Sequence, residues 1–371
     1  MISKPQDLTR IENAIRDSVV FGHADAIVAG GDSLELLRQM PNSSVSLVLT
    51  DPPYHTTKKA NIYGDTLFKE DSEFLHWMAE YAREWRRVLR DNGSLYVFCS
   101  SRMAARLEVL LSENFNILSH IVWTKPNEPG YDGWKGKMKK EALRQWYPHS
   151  ERIIFAEPAI EGNLHRSPFA LFLREARKTC GMSSNELAEI TGSYGKVNHG
   201  GAVSNWETGR NIPSLKQYSR ICDALIGTGR ISFMPPYDEV IRVFRVDSSM
   251  EFTDVWTFPS VRPYKGKHPA EKPADLLEHV IEASSFRGDV VLDTFSGSGS
   301  TATAALSLGR KAVSIDIDPV WIERTADKVR RASQDADLQR ASAPPLKIAS
   351  LKKSREKRSE PQLMLFQAEG S

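Results

Sequence analysis

Strand-like and helix-like patterns alternate in two separate stretches of this sequence, with a long interruption between them. That layout limits the fold more than any other feature. Within residues 25–125, short apolar runs at Ala26–Ala29 and Val45–Leu49 lie between Gly-Gly and Pro-Pro punctuation. Apolar residues at helical spacing fill Phe74–Leu89, Asp91-Asn92-Gly93 breaks the pattern, and Leu95–Cys99 reads as another strand. Over 126–267 the rhythm is lost to Gly-, Pro- and Trp-rich loops, a short strand at Arg152–Phe155 and a compact helical block from Ser167 to Ile226. It resumes with the strand Val290–Leu292, the helix Ser300–Leu308 and the strand Ala312–Ile315. Strands alternating with helices make βαβ units and a parallel sheet. The expected fold is therefore one α/β domain with a mainly parallel central sheet, split by an insertion. From about Ser333 the chain becomes polar, rich in Ala, Ser, Lys and Arg, and reads as a disordered tail.

Composition narrows the function classes. The 371 residues are 40% hydrophobic and 26% charged, as in an ordinary globular protein with room for two or three domains. With 49 Lys and Arg against 47 Asp and Glu, the net charge of +2 confines any nucleic-acid surface to a local patch. No apolar run reaches the ~18–20 residues of a membrane span, and MISKPQDLTR lacks the apolar stretch of a signal peptide. Cys99, Cys180 and Cys222 lie far apart, which argues against a disulfide framework and a cysteine metal site. These features point to a cytoplasmic enzyme without a metal or a membrane anchor.

Two segments carry chemistry. The first, Thr50-Asp51-Pro52-Pro53-Tyr54, follows the strand Val45–Leu49. Ligands in open α/β sheets bind beyond the carboxyl ends of strands. Two prolines fix φ and aim the Asp51 carboxylate and the Pro52 carbonyl in set directions. Tyr54 adds a flat face on which a base can stack. Two acceptors taking the N–H bonds of an exocyclic amine would free its lone pair for attack on an electrophilic methyl, with positioning and electrostatics carrying the rate. The alternative for these residues alone is a strand-ending Pro-Pro turn with an Asp cap. The second segment, Val291 to Thr301, is a strand, a glycine-rich turn and a helix start. Gly297 and Gly299 permit close backbone approach, and the helix N-terminus offers unpaired N–H groups to an anion. Asp316 ends the next strand, where a carboxylate can hold both hydroxyls of a ribose. Together they indicate a nucleoside-containing cofactor.

Asp51-Pro52-Pro53-Tyr54 and Asp293-x-Phe295-x-Gly297-x-Gly299 resemble the catalytic and cofactor motifs of the amino-group DNA methyltransferases dependent on S-adenosylmethionine. Further segments match in order: Gly31-Asp32-Ser33 to Leu37, Val88-Leu89 to Gly93-Ser94-Leu95, Trp123-x-Lys125 and His268-Pro269-Ala270-Glu271-Lys272-Pro273. The resemblance covers roughly 25–158 and 250–330. The catalytic motif precedes the cofactor motif, the family's circularly permuted beta arrangement, which implies a Rossmann-like fold. It also implies that Asp32 lines the adenine side of the cofactor and that Lys272 lies in the segment holding its methionine end. Asp293 would meet the methionine amine, Phe295 would approach the cofactor, Ser300 and Thr301 would bind its carboxylate and Asp316 its ribose. Asp before Pro-Pro-Tyr favours adenine N6 over cytosine N4. The target base would be flipped out of the duplex to reach Asp51.

The helical block resembles a phage-repressor helix-turn-helix. Ser183 caps the segment Ser183–Thr191, and Val203-Ser204-Asn205-Trp206-Glu207-x-Gly209 leads to Pro213, with a longer turn than usual at Gly192–Gly201. The resemblance places the helix from Gly201 to Glu207 in the major groove, with Asn198, Ser204, Asn205 and Arg210 reaching bases or phosphates and Trp206 in the core. The alternative is a module used for dimer contacts or packed on the sheet. Lys125, Lys137, Lys139, Lys140 and Arg144 are interleaved with Tyr131, Trp134, Trp146 and Tyr147, which suits phosphate contact and an opened duplex, or else a solvated loop with packed aromatics. The segments divide as 1–165, 166–228, 229–332 and 333–371. In the tail, Gln362-Leu363-Met364-Leu365-Phe366 resembles the peptide that binds the bacterial sliding clamp, and could instead fold back on the chain or a dimer partner.

The leading expectation is a sequence-specific adenine-N6 methyltransferase acting on double-stranded DNA, cytoplasmic and nucleoid-associated, in which a homodimer would suit a palindromic site. The alternatives are cytosine N4 methylation, a repressor with a vestigial methyltransferase fold, and an RNA or protein methyltransferase.

Overall fold

The computed structural model describes residues 8–55, 67–126, 139, 141, 143–144, 146, 149–159, 167–193, 201–246, 250 and 252–342. Nine strands among them form one sheet: β1 (Val19–His23), β2 (Ala26–Gly30), β3 (Val45–Thr50), β4 (Leu89–Cys99), β5 (Phe115–Thr124), β6 (Ser150–Pro158), β7 (Val255–Thr257), β8 (Val290–Asp293) and β9 (Lys311–Asp316). Their order is β1-β2-β9-β8-β3-β4-β6-β5-β7. Pairing is parallel from β2 through β4 and between β5 and β7, and antiparallel at β1–β2, β4–β6 and β6–β5. The sheet is thus mainly parallel, as expected.

The helices are α1 (Thr9–Ala14), α2 (Ser33–Gln39), α3 (Asp71–Val88), α4 (Ala104–Leu111), α5 (Pro168–Thr179), α6 (Ser184–Thr191), α7 (Gly201–Glu207), α8 (Leu215–Ile226), α9 (Tyr237–Val240), α10 (Ala274–Ser284), α11 (Ser300–Ser307) and α12 (Pro319–Ser342). Every residue of β3 is buried, because a central parallel strand is covered on both faces. Alternate residues feed two cores. Val48, Val97 and Leu292 meet α2, α3 and α4 on one face; Leu47, Leu49 and Val291 meet α10, α11 and α12 on the other. In α3 the buried positions Phe74, Met78, Tyr81, Ala82, Trp85 and Val88 recur at helical spacing and form the stripe that covers the sheet.

A third core lies within α5–α8, where Phe169, Leu173, Leu187, Val203, Trp206 and Ile221 pack together. Ser183 and Ser214 each form a capping box, which fixes where α6 and α8 begin. This helical unit is fastened to one end of the sheet. Asn92, near the start of β4, donates to the carbonyls of Asp238 (2.9 Å) and Ile241 (3.3 Å), and Arg242 pairs with Glu157 near the end of β6 at 2.8 Å. Tyr237 and Ile241 belong to the helical core, so the fastening is direct.

Three differences from expectation have physical causes. β4 runs through the expected break at Asp91-Asn92-Gly93, with its register to β3 shifted between Val45 and Leu47. β5 was not anticipated, because its burial is irregular along the strand and gives no clean alternation. The expected disordered tail begins too early: α12 runs through Ser342, with Ile322, Ala326, Val329 and Ser333 buried at helical spacing on an otherwise polar helix. Gln362–Phe366 lies outside the described residues. No described helix is long and apolar enough to cross a membrane.

Candidate active site

Register brings the two motifs together. β3 and β8 are separated by some 240 residues in sequence yet pair in parallel, with Leu47 opposite Val291 and Val48 opposite Leu292. Their carboxyl ends therefore finish level, and the two turns leave the sheet side by side. Thr50 locks them, donating to Asp293 Oδ1 at 3.0 Å and lying 3.0 Å from the Thr294 hydroxyl, which also accepts from Trp85 Nε1 at 3.3 Å. A cavity of about 710 Å³ opens there, within the size range of small-molecule sites.

Asp51, Pro52, Pro53 and Tyr54 line one side of it, and Asp32, Lys272, Asp293, Phe295, Gly297, Ser300, Thr301 and Asp316 line the rest. Gly299 supports the same turn from behind, at φ +70°, where a Cβ would meet Thr325 Cγ2 at 2.7 Å. Gly297, at φ +46°, lies so close to the His268 ring that a Cβ would come within 3.0 Å of Cε1. Its N–H donates to Asp316 Oδ2 at 2.6 Å, and the Asp318 N–H donates to Oδ1 at 3.0 Å. Asp32 caps α2 through the Leu34 N–H at 2.8 Å. Phe295 packs on Tyr81 and Trp77, with ring centroids 5.0 and 5.6 Å apart.

Electrostatics differ across the cavity. Asp51 and Lys272 form a buried ion pair, and Lys272 also lies 3.5 Å from Glu151. Glu151 accepts from the Tyr54 hydroxyl at 2.7 Å and pairs with Lys125. Burial pushes the Asp51 carboxyl above the usual carboxylate range, against the pull of Lys272. Burial also works on Glu151, but Lys272 and Lys125 outweigh it and hold that carboxyl down at about 2. Asp293 is pushed up to about 6 by burial, and His268 down to about 4 for the same reason. Asp51 Oδ1 is buried with no hydrogen-bond partner among the described residues. A buried acceptor without a donor is costly unless a ligand donates to it.

Some expected residues stand elsewhere. Lys272, expected near the methionine end of a cofactor, places its ammonium on Asp51. Lys125, expected on a DNA-contacting loop, is a pocket residue tied to Glu151, with its ammonium 4.6 Å from the Trp123 ring centroid. Lys139 and Arg144 are exposed, as is Arg210, while Ser204 and Asn205 are half-buried on α7 and Trp206 is core. None of Ser204, Asn205 or Arg210 lines the cavity. Lys137, Lys140 and Asn198 lie outside the described residues. Sequence reasoning missed Glu151. It is the second residue of β6, opposite Trp123, and its only sequence signal is an acid beside an apolar strand run.

Residues 45–327 match the N6/N4 methyltransferase family model, described as a DNA methylase. The DNA adenine methyltransferase YhdJ of Escherichia coli K12 is 26% identical over 349 residues, covering 93% of this chain and 96% of that one. The type II methyltransferase M2.DpnII of Streptococcus pneumoniae is 40% identical over 312 residues, 80% of this chain and 87% of that protein. Among solved structures, the M1.HpyAVI–SAM complex aligns with 82% of this chain and 99% of its own at 18% identity and a TM-score of 0.44.

Proposed function

This chain belongs to the DNA methylase family, and from that premise we propose that it transfers a methyl group from S-adenosylmethionine to the N6 amine of adenine in duplex DNA, after the base has been flipped out of the helix. The observation that carries this reading is the cavity-lining Asp51, whose buried Oδ1 has no donor among the described residues, beside the glycine turn of Gly297 and Gly299. Asp51 and the Pro52 carbonyl accept the N–H bonds of the incoming amine, so its lone pair turns toward the methyl donor. Tyr54, steadied through its hydroxyl by Glu151, offers its ring to the flipped base. The adenine relative and the Asp before Pro-Pro-Tyr both favour N6 over cytosine N4.

The residues present fit the cofactor. A Cβ at Gly297 would intrude on the lining beside His268, α11 opens at Gly299 with no side-chain cap on its first turn, and the cavity has the volume. When bound, S-adenosylmethionine supplies an electrophilic sulfonium methyl. Asp316 and Asp32 would hold its nucleoside end, Asp293 its ammonium, Ser300 and Thr301 its carboxylate, and Phe295 would pack against it. Confinement between these groups excludes water and sets the approach of the two reactants.

The finer parts of the reading are a circularly permuted order, a helix-turn-helix in α5–α8 that binds DNA, a homodimer, a nucleoid location and clamp binding through Gln362–Phe366. Deleting 361–367 abolishes clamp binding if that peptide acts; unchanged binding ends the idea. The main test is mass spectrometry of nucleosides from duplex DNA incubated with the protein and isotope-labelled S-adenosylmethionine. Labelled N6-methyladenine is expected. Labelled N4-methylcytosine, or no labelled base, rejects the reading.

A further inference from the structure

The catalytic cavity and the helical unit sit at opposite ends of the sheet. Thr50, Phe98, Trp123 and Glu151, on β3, β4, β5 and β6, all line the cavity, so it lies at the Cys99 end of β4. The helical unit is held at the other end of the same strand, where Asn92 bonds to the segment Asp238–Ile241. Seven residue steps separate Asn92 from Cys99, about 23 Å at ~3.3 Å each. The chain enters the helical unit from Pro158, at the far end of β6, and the Arg242–Glu157 pair closes the return at the same end.

The outer side of α7 is dressed for an anionic partner. Val203 and Trp206 point into the helical core. Glu207, the one acid of α7, is turned inward and held by Arg177, whose Nη2 donates at 2.8 Å. α7 and the segment after it expose Thr208, Arg210, Asn211 and the apolar Ile212 and leave Ser204 and Asn205 half-buried, so this side carries hydrogen-bonding groups and one positive charge but no carboxylate. Such a face can take phosphates and base edges.

Resting on the reading of α5–α8 as a DNA-binding unit, we propose that it binds a stretch of duplex DNA separate from the one whose base enters the cavity. The enzyme then holds two DNA segments at once, one read at the far end of the sheet and one methylated at the near end.

The test uses the full chain and the double variant Thr208→Glu/Asn211→Glu, which puts two negative charges on this exposed face without touching any of the three cores. A short duplex containing the methylation site is immobilised, saturated with protein and offered labelled sheared chromosomal DNA. The wild type captures the second DNA. The variant methylates the short duplex with unchanged kcat and KM, yet captures about tenfold less. A raised KM on the short duplex overturns the proposal while keeping the helix-turn-helix reading, because the unit would then grip the methylated duplex. Unchanged capture with unchanged kinetics rejects both, since bridging would then run through another surface. Thermal melting of the variant at the wild-type temperature confirms that it is folded.

Discussion

The two ends of the sheet both bury charge, and they do so to different ends. At the far end, Arg177 and Glu207 meet in a two-pronged pair, and the remaining Arg177 nitrogen donates to the Met182 carbonyl at 2.6 Å. All three Arg177 nitrogens are thus paired, as in a scaffold, while Arg242 Nη1, in the fastening to Glu157, is buried without a partner among the described residues. At the near end, Lys272 is shared between Asp51 and Glu151, and Oδ1 of the cavity-lining Asp51 is buried with no hydrogen-bond partner among the described residues. Buried charge alone is weak evidence of chemistry. A buried carboxylate oxygen without a donor, on a residue that lines a cavity, is a different signal, and it marks the reactive end.

The sharpest way to break that contrast is at Asp51. Asp51→Ala is expected to lower methyl transfer roughly a thousandfold, comparable to removing a main electrostatic contact in other enzymes. Its affinity for S-adenosylmethionine, measured by calorimetry, stays within about twofold, and a lost affinity would remove Asp51 from the assigned role. Asp316→Ala should act on the other side of the cavity, weakening the cofactor roughly 10- to 100-fold through two lost hydroxyl contacts. Unchanged affinity would exclude Asp316 from the cofactor site.

Asp293 gives a pH signature. Its carboxyl is raised to about 6 in the folded protein from an ordinary 3.8. The protein without ligand therefore favours the neutral form, and this group's contribution to stability is complete below about 3.8 and lost as pH rises through 6. Cofactor affinity runs the opposite way, because only the carboxylate attracts an ammonium. The dissociation constant should rise about tenfold per unit below pH 6, and Asp293→Asn should flatten both profiles. A wild-type affinity independent of pH between 5 and 7 would contradict this.

The smallest effect on catalysis belongs to the far end. Arg177→Ala leaves Glu207 buried without its partner and should destabilise the helical unit by about 3 kcal/mol. Proteolysis within 167–241 should accelerate, while kcat on a short duplex changes little. A large loss of kcat would show that the two ends are coupled.

How far these features could be read beforehand follows from how local they are. Asp51-Pro52-Pro53-Tyr54 and the Gly297–Gly299 turn carry their backbone constraints within a few residues, so sequence alone identified them and the strands before them. The capping box at Ser183 was equally local. Glu151 was not, because its meaning depends on Tyr54, 97 positions away, and on Lys272 beyond it. Lys125 misled for the same reason: in sequence it borders a basic, aromatic loop, and only the pairing of β5 with β6 turns it toward Glu151. The position of the helical unit was likewise hidden. Nothing around Asn92 announces that its side chain ties down a segment near Asp238.

Single-molecule sequencing of plasmid DNA from cells expressing the wild type or Asp51→Ala tests the central claim most directly. An N6-methyladenine mark at one motif, present with the wild type and absent with the variant, is the predicted result. A mark that survives in Asp51→Ala, or no mark with either protein, would contradict it.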